Sequence, residues 1–224
     1  RDDDAARPDP ALSRLLALAQ RTSTPLALAA VPLSATKDAF AGAGALVSVL
    51  QHGTDHRNRA GAQEKKTEFP ASEAPDAALD RLRSARERLS NLAPEGFRPV
   101  LVPPWNRLRE SVAARIAEAG FRGLSRFGPR AKREAAPGVI QVNTHVDLVA
   151  WRSGRGFAGD GAVLGAAVRH LAAKREGRAD AEEATGWLSH HLVHDEPAWA
   201  FLERLFETTQ AVRWMGAQEL FHIP

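Results

Sequence analysis

Short apolar runs alternate with amphipathic helical stretches along nearly all of this 224-residue chain, and that alternation limits the fold more than any single motif does. Leu12, Leu15, Leu16 and Ala19 mark one helix face, and Pro25 then precedes an apolar strand at 26–31. A second strand at 45–50 ends at a histidine pair. Leu79, Leu82, Leu89 and Leu92 recur at helical spacing behind Pro75 and predict a helix over 74–92. Pro94-Glu95-Gly96 ends it, ahead of a strand at 99–102. Asn106 then reads as the cap of a helix running to Ala119, closed by Gly120. Further strands are expected at 122–125, 139–143, 187–193 and 211–215, with helices at 162–175 and 197–208. Residues 61–72 and 126–138 read as long polar loops, and no repeat or interdomain linker breaks the pattern.

Repeated strand–loop–helix units put parallel strands inside and helices outside. They predict one α/β domain over residues 1–224, a deformed barrel of about seven strands with outer helices. At 44% hydrophobic and 25% charged, the chain can bury a sizeable core. Net charge is only +3, and the basic residues (Arg81, Arg83, Arg86 and Arg88; Arg130, Lys132 and Arg133) sit among acidic neighbours, which argues against a nucleic-acid partner. The absence of cysteine excludes disulfides and thiolate metal sites but leaves the compartment open. No apolar run is long enough to span a membrane. The chain opens at Arg1 without Met or signal peptide, on what reads as the end of a strand. Its natural start is therefore expected upstream, and a cytoplasmic location is slightly favoured. Oligomeric state is not legible.

In such barrels the chemistry lies on loops after the C-terminal ends of strands. The chemically capable residues of this chain fall there: Asp2-Asp3-Asp4, the pair His52 and His56, Pro103-Pro104-Trp105, the stretch 143–147, and the histidines of 190–194. Two imidazoles separated by three residues face the same way over one turn-like step. A carboxylate from a distant segment completes two nitrogens and one oxygen, a set that suits zinc or another divalent metal with positions left open for water. The spacing alone is weak evidence, since stray surface histidines produce it too. The shared placement at strand ends carries more.

Taken in order, these segments resemble the polysaccharide deacetylases with a NodB-type homology domain, carbohydrate esterase family 4, and look closest to a divergent bacterial branch. The segments are Asp3-Asp4-Ala5, His52-Gly53-Thr54-Asp55-His56, Val102-Pro103-Pro104-Trp105, Asp147-Leu148-Val149-Ala150-Trp151, and either Leu188-Ser189-His190 or Leu192-Val193-His194. The resemblance implies a metal-dependent hydrolase that removes an acetyl group from an N-acetylated or O-acetylated sugar of a glycan. Its metal would be held by Asp4, His52 and His56, with Zn2+ first and Co2+, Ni2+ or Mn2+ as alternatives. Asp3 would be the base, and His190 or His194 the acid, with His190 favoured as nearer the strand end. The register within the triple Asp stays open by one residue. The backbone N–H of Trp105 would receive the oxyanion, with Pro104, Trp151 and Asp147 on the substrate side. Asn58, Asn106 and Arg107 would stand behind these groups.

Two positions depart from the family pattern. Its base-orienting arginine falls on Val102, and the aspartate that tethers that arginine falls on Ala150. Both halves of one ion pair are absent together, as expected where losing only one would leave a buried charge unpaired. Either Arg1 or Arg107 supplies the charge from elsewhere, or the protein is an impaired relative that binds metal and carbohydrate without turnover. A non-haem iron oxygenase shares the ligand set, but the alternating helices argue against its all-β scaffold. His145 and His222 read as structural or exposed, and His170 as a surface residue. Trp105 and Trp151 read equally as core aromatics or sugar-stacking surfaces. Trp187, Trp199 and Trp214 read as packing groups, and residues 64–69 as a solvated loop rather than a lid.

Overall fold

The computed structural model describes residues 1–223. Five strands lie parallel in chain order: β1 (Asp2–Ala5), β2 (Leu26–Ala30), β3 (Val47–His52), β4 (Phe97–Val102) and β5 (Gly123–Leu124). All six residues of β3 are buried, as a parallel strand covered on both faces requires. β6 (Glu134–Ala136) and β7 (Val139–Gln141) form an antiparallel hairpin whose second strand joins β5, completing a seven-stranded sheet. β8 (Val146–Asp147) and β9 (Trp187–Leu188) make a separate parallel pair. One parallel bridge, Asp2 with Ser189, sets the end of β9 beside β1. The α/β class and the deformed barrel are as expected, although no continuous ladder closes the ring among the described residues.

The outer layer is α1 (Pro10–Arg21), α2 (Pro75–Leu92), the single turn α3 (Glu110–Ala113), α4 (Asp160–Arg175), α5 (Glu196–Thr208) and the short α6 (Ala217–Leu220). Asp9 caps α1 by accepting from the Leu12 N–H at 2.9 Å, and Pro10 pre-sets the first turn. Leu12, Leu15, Leu16, Leu18 and Ala19 then pack on β2 and α5 in one core cluster. Each such leucine contributes on the order of 2 kcal/mol by burial. α2 turns Ala78, Leu79, Leu82, Ala85 and Leu89 inward. Inside the curled sheet, Ala29, Leu50, Val100, Val102 and Val142 form a third cluster with Ala217 and Phe221 of the C-terminal segment. Gly123 permits that contact, since a Cβ there would stand 2.5 Å from the Phe221 ring.

Four local expectations are corrected. The expected helix from Asn106 to Ala119 is broken into a 3-10 turn (Pro104–Asn106), α3, and a second 3-10 turn (Ile116–Ala119). Trp105 and Asn106 both have positive φ, which no helix accommodates. The expected loop 126–138 contains β6. The strand expected over 187–193 stops at Leu188, because the His191 N–H turns to the Asp2 carboxylate and a 3-10 turn follows (His191–Val193). Residues 211–215 form no strand: Trp214 packs singly on Trp187 and Phe206 and bonds the Thr209 hydroxyl, with no neighbouring ladder.

Candidate metal centre

Three consecutive aspartates on one strand would repel one another if they shared a partner, and β1 gives each a different one. Side chains alternate along a strand, so Asp2 points outward. There its carboxylate accepts from Ser189 Oγ at 2.6 Å, from His191 N at 3.0 Å and from His191 Nδ1. Burial pushes the Asp2 carboxyl up, but the bonds from His191 and Ser189 outweigh it and hold it below its usual range. Asp3 shares the opposite face with Arg1, two residues away. It receives Arg1 Nε at 2.8 Å and Arg1 Nη2 at 3.0 Å. Asp4 has φ +74 at a bulge where the β1–β2 register shifts. The bulge re-aims its side chain, so that it joins Asp3 on one side of the strand end instead of following Asp2. The open register is therefore resolved by backbone geometry: Asp3 and Asp4 face the site, and Asp2 is a buried partner of His191.

His52 ends β3 opposite Val102 of β4. Its Nδ1 lies 3.0 Å from the Val102 carbonyl. A carbonyl can only accept, so Nδ1 carries the proton and Nε2 presents its lone pair. Nε2 faces Asp4 Oδ1 at 3.3 Å, and His56 Nε2 meets the same oxygen at 3.4 Å. The three ligand atoms lie within 4.8 Å of one another. Burial pushes the Asp4 carboxyl up, yet His52, then His56 and His190, hold it well below the carboxylate range. Burial opposes a charged His52, but Asp3, Asp4 and the Val102 carbonyl raise it on balance. Burial and the neighbouring His52 lower His56. A field that draws a proton to the Nε2 of His52 also draws a divalent cation to that point. Asp2 is balanced by His191 and Asp3 by Arg1, so Asp4 is the carboxylate left for such an ion. The set fits a divalent metal, and its open side is that of Asp4 and His56, whose side chains are 34% and 29% exposed.

The turn between the histidines is held by Glu68, a buried residue from the loop expected to be solvated. Its carboxylate accepts from Thr54 N at 2.8 Å, from the Thr54 hydroxyl, and from His56 N at 3.1 Å. Gly53 makes room: it sits at φ +58, and a Cβ there would lie 2.2 Å from Glu68 Oε2 and 2.6 Å from Pro104. Asp55 turns away to Arg59, with both bonds at 2.7 Å. Asn58 accepts from Ala60 N and Thr67 N and Arg107 donates to Lys66 O, so both hold the loop rather than the ligands. Asn106 does stand behind the site, accepting from Arg1 Nη2 at 2.8 Å.

On the far side, His190 places Nε2 4.0 Å from Asp3 Oδ2, and its ring meets the edge of Trp151 at 4.7 Å between centroids. His194 does not reach this point. Its Nε2 accepts the His190 N–H at 3.3 Å and its ring packs on Trp199, so it supports the His190 backbone. Trp151 is 43% exposed and donates its indole N–H to Asp147, which also accepts from Val149 N. Burial raises the Asp147 carboxyl despite those bonds. Trp105 lies 4.5 Å from the His56 ring, in a turn whose bonds run from Asn106 N to Pro103 O and from Arg107 N to Pro104 O.

A second histidine–carboxylate cluster lies elsewhere. His170 is not a surface residue: it is 5% exposed and stacks on His145 at 3.5 Å, beside buried Glu183. His145 Nδ1 accepts the Gly186 N–H at 3.1 Å. In the neutral ring, therefore, Nε2 carries the proton, pointing to Glu183 Oε2 at 3.3 Å, and has no lone pair for a metal.

The structure brings together Asp3, Asp4, His52, His56 and His190, all singled out from the sequence. Sequence reasoning missed Glu68, Ser125 and His191, whose partners lie 14, 124 and 189 residues away along the chain.

No family model matches this chain, and no curated protein matches it. Its likeness to solved structures is extensive. The Bc1960 peptidoglycan N-acetylglucosamine deacetylase superposes with a TM-score of 0.64 at 12% identity, over 100% of this chain and 86% of that one. A family 4 carbohydrate esterase of Streptococcus mutans gives 0.63 at 12%, over 96% and 82%. The family 4 acetyl xylan esterase of Clostridium thermocellum, in complex with a cobalt ion, gives 0.57 at 12%, over 99% and 88%. At these identities the likeness is one of architecture: the chain has the fold of the polysaccharide deacetylases, carbohydrate esterase family 4.

Proposed function

We propose that this protein is a metal-dependent hydrolase that removes an acetyl group from an N-acetylated, or O-acetylated, sugar of a glycan. The observation that carries the reading is the convergence, at the strand ends of a deacetylase fold, of Asp4, His52 and His56 with Asp3 and His190, the last two 4.0 Å apart. The solved neighbours include both a peptidoglycan deacetylase and an acetyl xylan esterase, which is why both acetyl linkages are kept.

Asp4, His52 and His56 hold the cation, Zn2+ being the first choice for two imidazoles and a carboxylate. The bound ion supplies Lewis acidity toward the acyl carbonyl and toward water. Asp3 takes the proton of the attacking water. The Trp105 N–H donates to the oxygen as negative charge develops on it. His190 delivers a proton to the departing nitrogen or oxygen, and its edge contact with Trp151 holds the ring in place. The exposed faces of Trp151 and Trp105 offer apolar surface to a sugar ring.

Metal-reconstituted protein should release acetate from N-acetylated chito-oligosaccharides or acetylated xylan, and chelation should abolish the release. A second reading rests on Val102 and Ala150, the two departures from the family pattern: metal and glycan are bound without turnover. Measurable glycan affinity with no acetate from either substrate decides for it.

A further inference from the structure

We infer that Arg1 is the positioning residue of the Asp3 carboxylate, a task it performs from the position just before β1 with Asn106 and Ser125 as its supports. The inference rests on the reading of Asp3 as the base. All five guanidinium donors have acceptors. Nε and Nη2 take the two oxygens of Asp3 at 2.8 and 3.0 Å, Nη2 also takes Asn106 Oδ1 at 2.8 Å, and Nη1 takes Ser125 Oγ at 2.7 Å and Arg126 O at 3.3 Å. Both side chains are nearly inaccessible, 4% and 3% exposed. Such a bidentate fork fixes the carboxylate plane as well as its place, which a lysine cannot do.

The supports come from three other points of the barrel. Ser125 follows β5, Arg126 O adjoins it, and Asn106 lies in the left-handed turn after β4. The pair is therefore anchored to the ends of β4 and β5, β4 being the neighbour of the strand that ends at His52, and Asp3 Oδ2 is held on the side of His190. The other candidate, Arg107, is bonded to Lys66 O, and positions 102 and 150 are apolar. The bond spans only two residues, Arg1 lying immediately before β1 and Asp3 within it.

A double-mutant cycle on the metal-loaded full chain tests this. Arg1→Gln should lower kcat about 100-fold, the cost of a small misplacement at a reacting centre, with KM within about twofold and metal content equal to the parent. Asp3→Asn should lower kcat at least as far. The double variant, which removes both buried charges together and so protects folding, should be no slower than Asp3→Asn alone. Asn106→Ala, which leaves the ion pair intact, should lower kcat about tenfold, an outer-support effect of the size seen around metal ligands. Multiplying effects of Arg1→Gln and Asp3→Asn, or loss of KM rather than kcat, would overturn the assignment. An inactive parent, or an Asp3→Asn protein as active as the parent, overturns the hydrolase reading instead, and metal content then reports separately on the ligand set.

Discussion

Two clusters in this protein contain two histidines and a carboxylate, and they are opposites. In the Asp4, His52 and His56 cluster, a carbonyl takes the Nδ1 proton of His52 and leaves Nε2 free. In the His145, His170 and Glu183 cluster, a backbone N–H occupies Nδ1 of His145 and forces the proton onto Nε2, against Glu183. The first opens to solvent through Asp4 and His56, and the second is closed on every side. The same residue types thus leave a ring nitrogen open to a cation in one place and close it against a carboxylate in the other. What differs is the group on the back of one imidazole.

That contrast can be broken most directly at His52. His52→Ala should take bound divalent metal from about one equivalent to almost none after dialysis, whereas His145→Ala should leave it unchanged; mass spectrometry of both proteins settles the point. His190→Ala should lower acetate release by about 10^2–10^4-fold with metal retained, and His194→Ala far less; steady-state rates that rank them the other way would reverse the assignment. In the closed cluster, Glu183 also accepts Arg130 N and Asn143 N. Glu183→Gln should cost roughly 3 kcal/mol in denaturant unfolding, as breaking a buried pair does, with no change in metal. Glu68→Gln weakens the turn that carries His56, and the expected loss is about 10–100-fold in metal affinity by competition with a chelator.

The smallest effect is on pH dependence. Burial, then the neighbouring His145, lowers His170 to about 4 from an ordinary 6.5. A depressed folded value means that protons favour the unfolded chain, so the His170 contribution is complete above 6.5 and declines as pH falls toward 4. Burial alone would raise Glu183, but His145 and two backbone N–H groups hold it below 4.5, so its contribution fades at still lower pH. Stability should fall by at most about 1.4 kcal/mol per pH unit from His170 in that window. His170→Asn, which keeps a polar group that can either donate to or accept from Thr185, should flatten the slope.

Much of this architecture could be read before any coordinates. The alternation of apolar runs and helical faces implied parallel strands under helices, and residues at strand ends implied where chemistry would gather. The errors fall where local pattern has least authority. The stretch after Asn106 looks helical by composition, but a left-handed Trp105 and Asn106 interrupt it. His170 sits in an arginine-rich helix, and only packing reveals that its face is inward. Glu68 looks like one more charge in a polar loop until the turn above it is folded.

Sequence by itself determined the α/β class and the strand-end positions of the aspartates and histidines, because side-chain periodicity and loop spacing are local properties of the chain. It left open whether Arg1 or Arg107 stands by the aspartates, and the fold places Arg1 on Asp3 and Arg107 on Lys66 O. Tertiary structure alone decided which two of three aspartates serve the site, through a bulge set by pairing with β2. It also decided which late histidine stands beside Asp3 and which histidine cluster opens to solvent. Those choices depend on hydrogen bonds between groups as many as 189 residues apart, and no local pattern encodes the distance between such groups.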